Sequence, residues 1–203
     1  QDKVRQIEEY YAQCELEGAN EHQVEESQKA VAKMEVIIGD PDRLRAVAED
    51  FIKHYETRVA EGATVAGKAM FVCSNRNIAY DFYKIVKELR PEWTEKKICD
   101  DGVVLSEKDK KELKPMEKIK LVMTRNKDDE KDLFDMLGTK EDRKEFDRQF
   151  KNPKSNFKIA IVVDMWLTGF DVPELDTIYI DKPIQQHTLI QTISRVNRVC
   201  EGK

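Results

Sequence analysis

Three residues near the end of the chain, Gln191, Arg195 and Arg198, are spaced so that a helix would gather them. At 100° per residue they fall within roughly 60° of one another. Leu189, Ile190, Ile193 and Val196 occupy the opposite side. A helix over 186–199 would therefore rest an apolar side on a sheet and present an amide and two guanidinium groups. Guanidinium forks bind phosphate oxygens bidentately, so the pattern suits a polyphosphate. It also suits a solvated face with surface salt bridges, and spacing alone leaves both readings open. A second cluster lies at 164–173, where Thr168, Gly169 and Asp171 fall within four positions. The hydroxyl can bond a phosphate, the glycine admits close backbone approach, and the carboxylate can accept from a ribose hydroxyl. Taken alone, it is an ordinary loop.

Two things such chemistry would need are missing. The chain has no GxxxxGK[ST] loop to cradle phosphates and no DExx acidic pair after a strand to hold magnesium. Arginines without a phosphate loop would supply half of a shared site, as an arginine finger does when a second domain delivers it.

The elements that must position these residues follow from apolar patterning. Residues 69–73, 119–123, 159–163 and 177–180 are short, largely apolar runs that read as strands, 159–163 being continuous and β-branched as in the middle of a parallel sheet. Between them, Ile78, Phe82, Ile85, Val86 and Leu89 mark a helix ended by Pro91, and segments near 128–137 and 140–151 are helical, with Phe146 and Phe150 four apart. Residues 92–116 are charged and lack periodicity, which predicts an excursion or mobile loop. This alternation implies parallel strands covered by helices, with ligands at the carboxyl ends of the strands. Residues 1–65 are helical in pattern. Their clearest piece begins at Asp40-Pro41, runs through Leu44, Val47, Ala48, Phe51, Ile52, Tyr55 and Val59, and stops at Gly62. The expected division is thus a helical appendage, 1–65, and an α/β domain, 66–203.

Composition excludes several classes. With 40% hydrophobic and 37% charged residues and few Gly or Pro, the chain is neither disordered nor fibrous. No apolar run is long enough to span a bilayer. Cys14, Cys73, Cys99 and Cys200 lack CxxC or Cys/His spacing, which argues against zinc or a disulfide framework and fits a reducing cytoplasm. The net charge of −5 argues mildly against bulk nucleic-acid binding. The charge is uneven, however: −7 over residues 1–66 and +2 over the remainder. His54 reads as a surface or satisfied histidine, His187 as a cap or positioning residue, and Trp166 as core in preference to a base-stacking platform. The Lys96-Lys97 and Lys108–Lys111 groups are interleaved with acids and read as solvated. Asp100-Asp101 and Asp128-Asp129-Glu130 read as surface turns without calcium-loop spacing.

The residues then resemble a known pattern. Thr168-Gly169-Phe170-Asp171-Val172-Pro173 is similar to motif V of superfamily 2 helicases. Gln191-Thr192-Ile193-Ser194-Arg195-Val196-Asn197-Arg198 resembles their QxxGRxxR motif VI, with Ser194 in the glycine position. Phe71-Val72-Cys73-Ser74-Asn75-Arg76 stands where motif IV would. The spelling of 164–171, of Tyr179-Ile180-Asp181-Lys182-Pro183 and of Ser194–Arg198 resembles the restriction subunit of type I restriction-modification enzymes. The likeness is good over 66–200 and looser before.

This resemblance implies a three-layer RecA-like α/β domain with a mostly parallel sheet, preceded by a helical segment. It would be the second motor lobe of an ATP-dependent DNA translocase in a site-specific deoxyribonuclease. It implies that Gly169, Asp171 and Gln191 lie near ATP, that Arg195 and Arg198 reach the γ-phosphate with Arg198 as the finger, and that Ser74, Arg76 and Thr168 contact the DNA backbone. ATP and Mg2+ would be held mainly by a first lobe that is not in this chain. Further partners would be duplex DNA, that lobe, a nuclease domain, and methylation and specificity subunits. Gln1 in first place fits a segment cut from a longer subunit, inactive on its own. The alternatives are the second lobe of another superfamily 2 helicase and a non-catalytic RecA-like interaction module.

Overall fold

Four apolar runs become four strands, the first three buried throughout and the last only partly, because enclosed backbone groups need pairing. In the computed structural model, which describes residues 29, 33, 34, 36–166 and 172–182, these are β1 (Lys68–Cys73), β2 (Ile119–Val122), β3 (Ile159–Val162) and β4 (Leu175–Asp181). They form one sheet in the order β2-β3-β1-β4, every described pair parallel. The register aligns Phe71 with Ile161 on one side and Tyr179 on the other.

Helices cover both faces, which makes the layout three-layered and α/β, as expected of a RecA-like domain. On one face lie α1 (Pro41–Ala60) and α2 (Arg76–Leu89). Helix α1 buries Leu44, Ala48, Phe51, Ile52 and Tyr55, the face anticipated from spacing, while Val59 at its end is exposed. Phe51 sits 5.2 Å from Phe71, 5.7 Å from Phe82 and 4.8 Å from Tyr179, ring to ring. Gly62, at φ +66°, closes α1: its N–H and that of Ala63 donate back to the carbonyls of Val59 and Arg58, a pairing that requires the left-handed turn glycine adopts freely. On the other face, α5 (Lys140–Lys151) sets Phe146 and Phe150 against Met70, Val72, Val122, Ala160 and Val162. Helix α5 is started by a reciprocal cap between Thr139 and Asp142. Helix α4 (Lys131–Leu137) precedes it.

Of the two expectations for residues 92–116, an excursion or a mobile loop, the fold shows an excursion with its own anchors. Trp93, Leu113 and Met116 are buried. A 3-10 turn (Pro91–Thr94) and a short helix α3 (Glu107–Glu112) flank an antiparallel bridge in which Lys97 and Met116 exchange both backbone hydrogen bonds. Its lysines are solvated and paired as anticipated: Lys97 with Asp101, Lys108 with Glu112, Lys110 with Glu107.

The sequence pattern divides the chain at 65/66, whereas contacts group it as 1–40 and 41–203, with α1 inside the larger unit. In the smaller unit the described residues 36–38 are helical, and Met34, Val36 and Ile37 are exposed. No helix among the described residues is long and apolar enough to cross a membrane.

Candidate functional site

The strand order defines where a ligand would sit. Helix α2, which follows β1, packs on one face, Phe82 stacking on Phe71 at 3.9 Å. The chain leaving β3 turns to the other face, where Trp166 stacks on Phe150 at 5.3 Å and Val172 joins the same cluster. Adjacent strands β1 and β3 therefore send their connections to opposite sides, and the crevice opens between their carboxyl ends. Ser74–Arg76 and Asp164–Trp166 border it.

The described part of this edge is a set of directed polar bonds. The Ser74 hydroxyl donates to the carbonyl of Asp181 at 3.1 Å. The Asn75 carboxamide caps α2 by accepting from the N–H of Ile78 at 3.0 Å. Arg76 donates to the Thr124 carbonyl at 2.5 Å and, through one Nη, to both oxygens of Asp129 at 2.6 Å. Asp129 also accepts from the N–H of Asn126 at 2.7 Å, and its side chain is only 7% exposed. The turn at 128–130 lies at the surface as expected, with Asp128 and Glu130 exposed, but the Asp129 side chain points inward and anchors Arg76. From α1, Arg43 holds both carboxylate oxygens of Asp181, and this hydrogen bond, opposed by burial, raises the guanidinium's pKa. Lys182 donates to the Val163 carbonyl at 3.1 Å and to Asp164 at 3.0 Å.

Two features limit the chemistry. Burial pushes the Cys73 thiol at the end of β1 far up, so it stays protonated and is no nucleophile. Trp166 holds φ +66°, a conformation bulky side chains seldom adopt, directly before the 167–171 segment. Its ring is committed to the Phe150 cluster, in line with its reading as core. His54 is satisfied, its Nδ1 lying 2.8 Å from the hydroxyl of Tyr179. An open cleft between α1 and α2, about 350 Å³ and lined by Ile52, Glu56, Leu89 and Arg90, lies on the outer flank, and Arg90 already grips Glu56 there.

Of the residues singled out from sequence, Ser74 and Arg76 are thus brought to the crevice. Thr168, Gly169, Asp171, Gln191, Arg195, Arg198 and His187 lie outside the described residues. Arg43 was not singled out, Asp129 was read only as part of a surface turn, and Lys182 only as part of the family-like spelling at 179–183. Arg43 and Asp181 stand 138 positions apart, so no local pattern could have joined them.

A three-layer parallel α/β domain with a crevice at its carboxyl edge is the class the fold defines. Residues 65–203 match the model of the family described as type I restriction enzyme subunit R domain 3. The chain is 36% identical over 179 residues to the type I restriction enzyme HindI endonuclease subunit of Haemophilus influenzae, covering 88% of this chain and 15% of that protein. It is 38% identical over 187 residues to a Methanocaldococcus jannaschii protein named for the MjaIXP endonuclease subunit, covering 91% and 15%. A Staphylococcus aureus type I endonuclease subunit is 49% identical over 59 residues, covering 27% of this chain and 6% of the relative. The chain belongs to the type I restriction enzyme subunit R family. It spans about 15% of the length of the first two relatives.

Proposed function

We propose that this chain is the second motor lobe of an ATP-dependent DNA translocase within a type I restriction endonuclease, working in the cytoplasm. The observation that carries the proposal is the switch point between β1 and β3, bordered by Ser74–Arg76 and by Asp164–Trp166, after which Thr168, Gly169 and Asp171 follow in sequence. Open parallel sheets take nucleotides and phosphates at such a crevice. In this reading Gly169, Asp171 and Gln191 meet ATP, and Arg195 and Arg198 meet its γ-phosphate. The lobe works with a first RecA-like lobe and a nuclease domain of the same subunit, with methylation and specificity subunits, and on duplex DNA.

The described carboxylates at this edge do not suit Mg2+. Asp129, Asp164 and Asp181 each already face a cation, Arg76, Lys182 and Arg43. The ion belongs in this reading to the first lobe, and no step is assigned to it here. To donate to a phosphate, Arg76 would have to leave Asp129 and Ser74 would have to leave the Asp181 carbonyl, so in this reading each makes its DNA contact by exchanging a partner.

The test is DNA-stimulated ATP hydrolysis by the full-length subunit assembled with its partner subunits, wild type against Arg198→Ala. A finger-type role predicts a rate loss of about 10³–10⁵ with ATP binding retained. Near-normal hydrolysis would remove Arg198 from that role and favour a lobe that docks without catalysing.

A further inference from the structure

Three separate pieces of the carboxyl edge meet at two consecutive residues. Asp181 receives Arg43 from α1 on its carboxylate and Ser74, from the loop after β1, on its carbonyl. Its neighbour Lys182 reaches the Val163 carbonyl and Asp164, at the start of the loop after β3. Strands β4 and β3 are not neighbours, because β1 lies between them. Two strand spacings amount to roughly 10 Å, so Lys182 spans the end of β1 and crosses the crevice itself. Both side chains are largely enclosed, at 12% and 14% exposed, whereas Asp164 is 63% exposed. The buried carbonyl of Val163, more than the exposed carboxylate, is therefore what anchors Lys182. A lysine suits this task because its single ammonium, on a flexible four-carbon stem, can donate to two acceptors that face different ways.

We propose that Asp181 and Lys182 are the positioning pair of this edge, fixing α1, the loop after β1 and the loop after β3 against one another. Neither side chain touches the nucleotide in this assignment. Lys182 sets where the 164–171 loop leaves the sheet, and Asp181 ties that point to the helix through which the chain enters the domain. The inference rests on the proposed function, since it makes the 164–171 loop the part that meets ATP. The strained backbone at Trp166 lies two residues past Asp164, inside the same anchored stretch. A conformation of that kind persists only where neighbouring contacts over-determine it.

The test compares Lys182→Met, Lys182→Arg, Asp181→Asn and Arg43→Gln with wild type and Arg198→Ala, all in the full-length subunit with its partner subunits and duplex DNA. Two quantities are read: KM and kcat for ATP, and hydrogen exchange of the peptide covering 163–171. Lys182→Met should raise KM for ATP about tenfold, the scale of a displacement under 1 Å. It should also speed exchange in that peptide, with Lys182→Arg restoring most of both. Asp181→Asn and Arg43→Gln should shift KM in the same direction, and their combination should cost no more than the larger single change, as for partners in one contact. If Arg198→Ala stops hydrolysis while Lys182→Met stays within twofold of wild type and exchanges normally, the positioning role is overturned and the motor reading stands. If Arg198→Ala is harmless, the motor reading falls, and exchange alone decides the pair: faster exchange at 163–171 in Lys182→Met upholds it, and unchanged exchange overturns it.

Discussion

The two ends of the sheet handle charge in opposite ways. At the amino edge Lys68, Lys118 and Lys158 stand at or just before the starts of β1, β2 and β3. Lys68 is 1% exposed and donates to the Phe157 carbonyl at 2.5 Å, with its ammonium 5.3 Å from the centre of the Phe150 ring. Lys158 donates to the Pro153 carbonyl at 2.8 Å and lies 3.2 Å from Asp100. Lys118 lies over the rings of Tyr55 and Trp93. These lysines are held mainly by carbonyls and aromatic faces. At the carboxyl edge each cation has its own carboxylate: Arg43 with Asp181, Arg76 with Asp129, Lys182 with Asp164. The first arrangement fixes strand starts with groups that cannot exchange partners. The second is a ring of paired charges beside a crevice, and ion pairs can trade a carboxylate for a phosphate.

Phe150 joins the two ends, since Lys68 lies over one part of its ring and Trp166 stacks upon it. Phe150→Ala is therefore the largest perturbation expected. It should cost about 3–5 kcal/mol by the usual penalty for emptying an aromatic site, and it should weaken both edges together. Denaturant unfolding with exchange read at both edges checks this. Loss confined to the amino edge would mean that Trp166 is held by other contacts and that the edges are independent.

The next effect separates the edges by pH. Burial, with Lys158 nearby, lowers the Lys68 pKa well below 10.5, so the folded state holds fewer protons than the unfolded one in the window between the depressed value and 10.5. Stability should then rise with pH through that window and fall as pH drops through it, by up to about 1.4 kcal/mol per pH unit for one whole proton. Lys118, lowered first by burial, adds in the same direction. Lys68→Met should flatten the slope, as unfolding measured at pH 7 and pH 10 would reveal. An equal slope in wild type and variant would place the proton difference elsewhere.

Much of this architecture was legible in the chain, and the exceptions have physical causes. Continuous β-branched runs announced the strands, and threes-and-fours spacing announced α1, α2 and α5, because burial of a strand or helix face imposes its own period. The anchors of the excursion at 92–116, Trp93, Leu113 and Met116, could not be picked out because they are single apolar residues in charged surroundings and carry no period. The crevice could be anticipated from the order of elements. The bonds that shape it could not: Arg43 to Asp181, Arg76 to Asp129 and Lys182 to Val163 each join residues brought together only by the folded sheet. Asp129 looked like one more acid in an acidic turn, and nothing local distinguished it from Asp128.

The smallest expected effect tests what kind of bond matters at the carboxyl edge. Asp164 is largely exposed, and a pair with one solvated partner contributes about 0–1 kcal/mol and weakens with salt. Asp164→Asn should therefore change stability by less than about 0.5 kcal/mol, and that change should vanish at high salt, because Lys182 keeps the Val163 carbonyl. Lys182→Met removes the only donor identified for that carbonyl among the described residues. Leaving a buried acceptor unmet costs about 1–3 kcal/mol, and salt does not screen it. Thermal unfolding of the two variants at low and high salt gives the comparison. If Asp164→Asn proves as costly as Lys182→Met, Lys182 is held by charge and not by the Val163 carbonyl, and the contrast with the carbonyl-held lysines of the amino edge is complete.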